Sequence, residues 1–235
     1  MPFLEIACFS VNSAINAQVS GADRIELCAD GSLGGVTPPL SDIKAVRPRY
    51  FFSINVMIRP RGGDFVYSPK EMVRMKTDIH AFAAAGADGF VFGMLTEEGK
   101  IDTEACRELV TLVKVTAYTL NKRLTCTFHR AFDKIPAKEM KTALEELIAL
   151  GFDAVLTSGG AEDALQGKKK LKWLVELAAG KIEIIVGGRV RSNNVAELMR
   201  DTGAQWFHSS ALVRGHDVAN ATEIESLKRI VEYGS

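Results

Sequence analysis

The stretch FHRAFD places a histidine, an arginine and an aspartate within one turn of chain, at His129, Arg130 and Asp133. Histidine has an ordinary pKa close to neutral pH, and a carboxylate that holds its ring makes it an effective general acid or base. We therefore predict that His129 transfers protons and that Asp133 orients its ring. Glu26, in RIELC, is the alternative general acid or base.

A second stretch, IRPRGGDFVYS, carries two arginines suited to binding an anion. The proline between Arg59 and Arg61 restricts the first of them to an extended backbone, and the diglycine that follows permits a tight turn. Two guanidinium groups on a rigid turn match a carboxylate or a phosphate. We predict that both arginines contact an anionic substrate. The alternative is that Arg61 pairs with Asp64 and that the loop only covers the fold.

A third set consists of small residues at Gly187, Gly188 and Ser209, in the segments VGGRV and HSSA. In barrel proteins, small residues and backbone amides after the last two strands commonly bind phosphate. The three residues therefore form a predicted phosphate site.

An internal repeat identifies the elements that must position these residues. Four segments, each a glycine followed by a small or aromatic residue and an apolar run, begin at Gly21, Gly86, Gly151 and Gly203. Each follows a helix-like stretch, which predicts a helix that ends on a left-handed glycine and then a buried strand. The first three copies lie 65 residues apart. Because this is twice the length of one strand and helix unit of about 30 residues, another strand is expected between each pair.

Four further apolar segments supply those strands. They are LEIACF from Leu4, FSINVMI from Phe52, LTCTFH from Leu124 and IEIIVGG from Ile182. Eight strands that alternate with helical stretches, such as 69–85, 103–120 and 138–150, predict an α/β fold, a parallel (β/α)8 TIM barrel, as one domain over residues 1–235. An open doubly wound sheet is the alternative, although it usually has six strands.

Strand alternation predicts which side chains face the inside of such a barrel. Cys8 is expected to face the helices. The polar and thiol side chains expected inside are Glu5, Glu26, Cys28, Asn55, Arg59, Thr127, His129, Thr157 and His208. Because buried charges are unfavourable unless paired, we expect the two glutamates to contact Arg59 or Arg61. The alternative is a salt-bridge network that only closes the barrel.

The composition excludes several classes of protein. The 235 residues include 29 basic and 29 acidic side chains, so the chain lacks the basic surplus that general nucleic-acid or membrane-surface binding requires. The N-terminal segment has no cationic lead, and no apolar run is long enough to span a membrane. Four cysteines without CxxC spacing are typical of reduced thiols. A cytoplasmic protein with no nucleic-acid or membrane partner is expected.

The motifs GADRIELC, GGVTP, IRPRGGDFVYS, FHRAFD, VLTSG, DALQG and FHSSA resemble the CutC copper-homeostasis family, and the resemblance runs from Leu4 to about Ala211. It implies a TIM barrel, a cytoplasmic location, a homo-oligomer (dimer or tetramer) and a role in copper handling through copper(I) bound by cysteines. It implies no established enzymatic reaction.

The resemblance carries over only part of the family's copper site. Cys28 matches one cysteine of the pair, and Ala7 stands where the family has the other. Met57, His208 or His129 are possible replacement ligands. The first interpretation is therefore a copper(I)-binding protein. The second is an enzyme, or a former enzyme, that acts on a small phosphorylated or carboxylated metabolite. A third is a barrel that only scaffolds an oligomer.

Overall fold

In a computed structural model of the chain, which describes residues 1–213 and 216–234, eight parallel strands pair in chain order and close into a barrel. The strands are β1 (Phe3–Cys8), β2 (Arg24–Leu27), β3 (Ser53–Met57), β4 (Gly89–Phe92), β5 (Thr125–Phe128), β6 (Ala154–Thr157), β7 (Glu183–Val186) and β8 (Trp206–Ser209). Because β8 pairs with β1, the sheet closes and the open doubly wound alternative is excluded. The predicted (β/α)8 barrel is confirmed.

One α-helix follows each strand within the described residues. The helices are α1 (Val11–Val19), α2 (Leu40–Val46), α3 (Pro69–Ala84), α4 (Thr103–Thr119), α5 (Met140–Leu150), α6 (Ala164–Ala178), α7 (Val195–Thr202) and α8 (Ala221–Tyr233). The three helices predicted by range are confirmed with small shifts at their ends. The start of α3 is fixed by a capping box, in which the Ser68 side chain accepts from the Glu71 amide and the Glu71 carboxylate accepts from the Ser68 amide.

The four repeat glycines have the left-handed conformation that the sequence predicts. Gly21, Gly86, Gly151 and Gly203 have φ angles of 85°, 100°, 86° and 70°. Each lies between a helix and the strand that follows it, and L side chains rarely adopt such angles. The repeat therefore marks the helix ends that set where β2, β4, β6 and β8 begin.

Strand alternation separates two sets of core residues. Outward side chains such as Ile54, Val56 and Cys8 pack with the helices in the main core. Inward side chains form separate clusters, one of Cys28, Met57 and Val91 and another around Leu156. We expected Thr157 to face the inside of the barrel, and this is wrong. Leu156 faces the inside, while the Thr157 hydroxyl donates to Asp133 outside the cavity.

The end of the barrel at which the strands begin is filled. A Cβ atom at Gly89 would collide with the side-chain oxygens of Thr125 and Asn55, so only glycine fits at this level. At the same end, the ring of Trp206 stacks on Phe3 with centroids 4.8 Å apart. We call these five residues the floor of the barrel. No helix in the described ranges has both the length and the apolar character needed to cross a lipid bilayer.

Candidate functional site

A cavity of about 240 Å³ opens at the other end of the barrel, where the strands end. Its apolar lining comes from Ala7, Phe9, Cys28, Met57, Phe65 and Leu156. Its ionisable lining comes from Glu26, His129, His208, Arg59, Arg130, Arg189 and Arg191. The volume lies just below the range of about 300–1,000 Å³ typical of drug-sized ligands, so the cavity suits a small molecule. Among the described residues, four arginines and one carboxyl group line it, which gives an excess of positive charge.

Arg59 is a buried cation with no carboxylate partner among the described residues. Only 5% of its surface is exposed. One of its nitrogens donates to the carbonyls of Leu33 and Gly35, at 2.8 and 2.9 Å, and the other terminal nitrogen donates to the carbonyl of Gly63 at 3.0 Å. The guanidinium lies over the ring of Phe65, 4.9 Å from its centroid, and Nε has no hydrogen-bond partner among the described residues. Arg59 thus organises two loops and leaves a full positive charge at the cavity.

Arg191 is a second cation held by neutral groups. Its terminal nitrogens donate to the hydroxyls of Ser209 and Ser210, at 3.0 and 3.1 Å, and to the carbonyls of Val190 and Leu212. No carboxylate of the described residues forms an ion pair with it. Burial lowers the pKa of its guanidinium, and the charge of Glu223 acts in the opposite direction.

The other two arginines of the cavity have acidic partners. Arg130 pairs with Asp133 at 2.8 Å and donates to the Ser158 hydroxyl at 3.0 Å. Arg189 pairs with Glu162 at 2.8 Å and is 68% exposed. These two side chains therefore form the outer rim, while Arg59 and Arg191 lie deeper.

Arg61 does not line the cavity. It pairs with Asp64 at 2.8 Å and with Glu71 at 2.7 Å, and it donates to the carbonyl of Val66. The alternative for this loop, in which Arg61 pairs with Asp64, is therefore the one observed. The prediction that Arg61 contacts an anionic ligand together with Arg59 is not supported by its position. The exposed Arg61 guanidinium instead ties the loop after β3 to the start of α3.

The two buried glutamates are paired, although not with the arginines that we expected. Glu5 accepts from Arg24 at 2.5 Å and contacts Nδ1 of His208 at 2.7 Å. Nε2 of His208 lies 3.5 Å from Oε2 of Glu26. Neither Arg59 nor Arg61 takes part, so the expected partners were wrong. The arrangement is a chain of four charged groups running from the floor to the cavity: Arg24, Glu5, His208 and Glu26.

The members of this chain differ in their proton affinity. Burial acts to raise the pKa of Glu5, but the charge of Arg24 and the contacts of His208 outweigh it and bring this pKa to about 2. Burial raises the pKa of Glu26 to about 7, with His208 opposing and Glu5 adding to the rise. Burial lowers the pKa of His208, but the hydrogen bond to Glu5 and the charges of Glu26 and Glu5 give a net rise. Glu5 is therefore a fixed anion, and Glu26 exchanges a proton near neutral pH.

His129 and Asp133 do not form the predicted pair. His129 precedes a short 3-10 helix (Arg130–Lys134), and its Nδ1 accepts from the amide of Ala131 at 3.3 Å. Burial lowers the pKa of His129 to about 3, and the charge of Arg59 adds to this effect. Asp133 instead accepts from Arg130 and from the amide and hydroxyl groups that follow β6. His129 is thus a neutral ring in the cavity wall, and the orienting role predicted for Asp133 is wrong.

The predicted phosphate residues lie together but contribute unequally. Gly188 and Ser209 line the cavity. The amide of Gly187 donates to the carbonyl of Thr157 at 2.9 Å, and the Ser209 hydroxyl donates to the carbonyl of Val190 at 2.7 Å. Ser209 therefore positions Arg191, and only Gly188 keeps its backbone at the cavity surface.

The sulfur groups of the cavity do not form a pair of cysteine ligands. Cys28 and Met57 lie in one inward cluster, while Ala7, at the position where the resemblance implies a second cysteine, lines the cavity. Cys8 is fully buried on the helix side and donates to the carbonyl of Ile6. Burial, and secondarily the charge of Glu26, raises the pKa of the Cys28 thiol well above its usual value. Two thiolates for copper(I) do not fit here, and a thiol with a thioether is the softest available set.

Glu5, Glu26 and His208 also offer three ligand atoms within 4.8 Å of one another. Arg24 already neutralises Glu5, and Nδ1 of His208 is used by the same carboxylate. The Glu5 carboxylate and Nδ1 of His208 are therefore already engaged in ion pairing, which disfavours a metal ion at this group.

The sequence reasoning did not select Arg24, Arg191 or the pairing of Glu5 with His208. Strand alternation could have identified Arg24, because it has the same parity as Glu26 on β2. Glu5 and His208 are directly opposite on β1 and β8, which only the closure of the barrel brings together. Arg191 follows Arg189 by two residues and carries no sequence signal of its own.

Comparisons with known proteins place these features in a family. The model of the CutC family matches residues 3–213. A human protein named copper homeostasis protein cutC homolog is 44% identical over 208 residues, which cover 88% of this chain and 72% of the human one. A family protein CutC of Histophilus somni is 43% identical, with 88% and 82% of the two chains covered. The crystal structure of CutC from Streptococcus agalactiae has a TM-score of 0.82 and 34% identity, and covers 89% of this chain and 99% of that chain.

Proposed function

The chain belongs to the CutC family, and from that premise we propose that its barrel is an enzyme whose cavity binds a small phosphorylated or carboxylated metabolite and transfers a proton to or from it. The observation that carries the proposal is the pair of cavity arginines, Arg59 and Arg191, that neutral groups hold and no carboxylate of the described residues neutralises. A buried charge is unfavourable without a counter-charge. A bound anion supplies it.

The shape and the polarity of the cavity support a small ligand. The apolar side of Met57, Phe65 and Leu156 offers contact with a short carbon skeleton, while Arg59 and Arg191 supply positive charge inside the cavity. Guanidinium groups bind carboxylate and phosphate oxygens through paired, charge-assisted hydrogen bonds. The positive charges of Arg59 and Arg191, which no carboxylate of the described residues neutralises, hold the anion in the cavity.

Glu26 is the proposed general acid or base. It is 2% exposed, lines the cavity and has a pKa of about 7, so it exchanges a proton near neutral pH. His129, the other general acid or base predicted from the sequence, has a pKa of about 3 and stays neutral. Its role in the proposal is to form part of the wall beside Arg59.

Anion binding tests the proposal directly. Isothermal titration calorimetry with inorganic phosphate, phosphoglycolate and oxalate is expected to show one site per chain, and Arg191→Met is expected to abolish it. Arg61→Met is the matched control, because Arg61 is an arginine outside the cavity. A ligand at 100 times its Kd also stabilises the fold by about 2.7 kcal/mol, which a thermal shift detects. Binding that survives Arg191→Met would refute the assignment of the site.

Copper(I) is a second candidate ligand, as cargo. The observation that favours it is the cluster of Cys28 and Met57 at the cavity, together with the name of the human relative. Thiol and thioether sulfurs are soft ligands that select copper(I). Anaerobic titration against a copper(I) chelator tests it: Cys28→Ala should abolish binding, and Cys8→Ala, which removes an outward-facing thiol, should leave it unchanged. Equal stoichiometry in wild type and Cys28→Ala would exclude this site.

A further inference from the structure

His208 belongs to the buried ion-pair chain and also lines the cavity. Its Nδ1 contacts the buried Glu5, and its Nε2 faces Oε2 of Glu26, 3.5 Å away, at the inner surface of the cavity. We infer that His208 and Glu26 are the two halves of one proton-transfer pair, positioned by Glu5 and Arg24, and that the reaction is a proton shift within a small organic anion. This inference rests on the proposed function and names its reaction class.

The geometry fixes which nitrogen of His208 serves the substrate. Glu5 is an anion because Arg24 lies 2.5 Å from it, so the proton between Glu5 and His208 resides on Nδ1. Nε2 is then free to carry or to lose the second proton on the cavity side. Glu5 does not line the cavity and therefore acts as a positioning residue. A carboxylate that holds an imidazole in this way fixes both the tautomer and the direction of the ring.

The other charged groups around the pair make it function as a unit. Arg24 lies behind Glu5, the Cys28 thiol donates to the Glu26 carbonyl, and both glutamates contact the histidine. An imidazole nitrogen 3.5 Å from a carboxylate oxygen allows one proton to reside on either partner. With that proton on the histidine, the pair offers a base, the Glu26 carboxylate, and an acid, the Nε2–H of His208.

A proton shift with this pair balances without a co-reactant. The Glu26 carboxylate takes a proton from one atom of the substrate, and the electron pair of the broken bond moves into the substrate's π system. The Nε2–H of imidazolium His208 gives its proton to the atom at the other end of that system. Glu26 is now protonated and His208 neutral, and transfer of the proton across the 3.5 Å gap restores the starting state. The product is an isomer of the substrate.

The remaining groups of the cavity agree with this class of reaction. No lysine of the described residues lines it, so the chain offers no amine there for a Schiff base. The arginines hold the anionic end of the substrate, which leaves the other end for the pair. A suitable substrate has a carbonyl or enol group next to the carbon that bears its phosphate or carboxylate.

The test measures the coupling between the two groups. The carboxyl resonance of Glu26, identified with Glu26→Gln, is titrated by carbon-13 NMR in wild type and in His208→Gln. Loss of the imidazolium is expected to raise the pKa of Glu26 by about one to three units. Glu5→Gln is expected to lower the pKa of His208 by at least about one unit, read from its imidazole nitrogen resonances. His80→Gln, which removes a histidine on α3 that contacts Thr116, is the control and should change neither value.

Anion binding separates failure of this inference from failure of the proposed function. The wild type is expected to take up protons when it binds phosphoglycolate, and Glu26→Gln is not. Calorimetry in two buffers of different ionisation enthalpy measures this uptake. His208→Gln should still bind phosphoglycolate, since the arginines remain. Unchanged Glu26 titration in His208→Gln, with binding intact, would overturn the pair alone. Absence of anion binding in the wild type would instead overturn the proposed function.

Discussion

Replacing Glu26 by glutamine should make the stability of the protein less dependent on pH. Burial raises the pKa of Glu26 from 4.5 to about 7 in the folded chain. In the unfolded chain the carboxyl group is exposed and loses its proton first as the pH rises. The folded state therefore binds more protons between these two pKa values, and the free energy of unfolding falls as the pH rises through that window. The contribution is most favourable below pH 4.5 and is lost by about pH 7.

The size of the effect follows from the shift. A difference of about 2.5 units corresponds to about 3 kcal/mol, because each unit is about 1.4 kcal/mol. Glu26→Gln keeps the shape of the protonated acid and cannot ionise. Relative to wild type, the variant should therefore gain about 3 kcal/mol of stability between about pH 4 and about pH 8.5.

Urea unfolding of both proteins at these two pH values measures the difference, followed by circular dichroism and by tryptophan fluorescence to check that the probes coincide. Glu225→Gln is the matched control, because it removes an exposed carboxylate on α8 and should show no such trend. A difference between Glu26→Gln and wild type that stays constant with pH would refute the reasoning, as would a Glu26 carboxyl group that titrates near 4.5.

Three further changes test other parts of the structure. Glu5→Gln should destabilise the protein by about 3 kcal/mol near pH 7, because it leaves Arg24 without its partner. In the wild type, the contribution of Glu5 to stability rests on a pKa lowered from 4.5 to about 2, so acid unfolding should show it disappear as the pH falls across that range. Asp133→Asn should lower the free energy of unfolding by about 3 kcal/mol, since Asp133 contacts Arg130 and the loop after β6. The imidazole NMR titration of His129 should not change, and a shifted titration would contradict this. Gly89→Ala should lower the free energy of unfolding in urea by about 1–3 kcal/mol, because the alanine Cβ overlaps the side chains of Thr125 and Asn55. If the variant is as stable as the wild type, the floor is loosely packed.

The barrel was predictable because it follows from local patterns. The glycine repeat marks helix ends, and strand alternation assigns Glu26, Cys28, Met57 and Arg59 to the inside. Each of these predictions needs only the chain within about one strand and helix unit. The inward residues of β3 and β5 were therefore correctly placed, with β6 as the exception.

The partners inside the barrel were not predictable in the same way. Glu5 and His208 are 203 residues apart in the chain and meet only because β1 pairs with β8. His129 and Asp133 are close in the chain, and this misled the prediction. The short 3-10 helix after His129 turns the aspartate towards the backbone amides that follow β6, which satisfy it better than one ring nitrogen does.

Because the floor is filled, the cavity is closed at one end, and any molecule that enters or leaves it passes Arg130 and Arg189 at the rim. Asn55, Gly89 and Thr125 close the lumen below, and the guanidinium groups of Arg130 and Arg189 lie at its mouth. Because no carboxylate of the described residues pairs with Arg59 or Arg191 further in, this opening concentrates anions and repels free cations, and salt weakens both effects. A copper(I) ion travelling to Cys28 would thus arrive faster inside an anionic complex than as an aquo ion. In the proposed enzyme, the product would leave through the same opening.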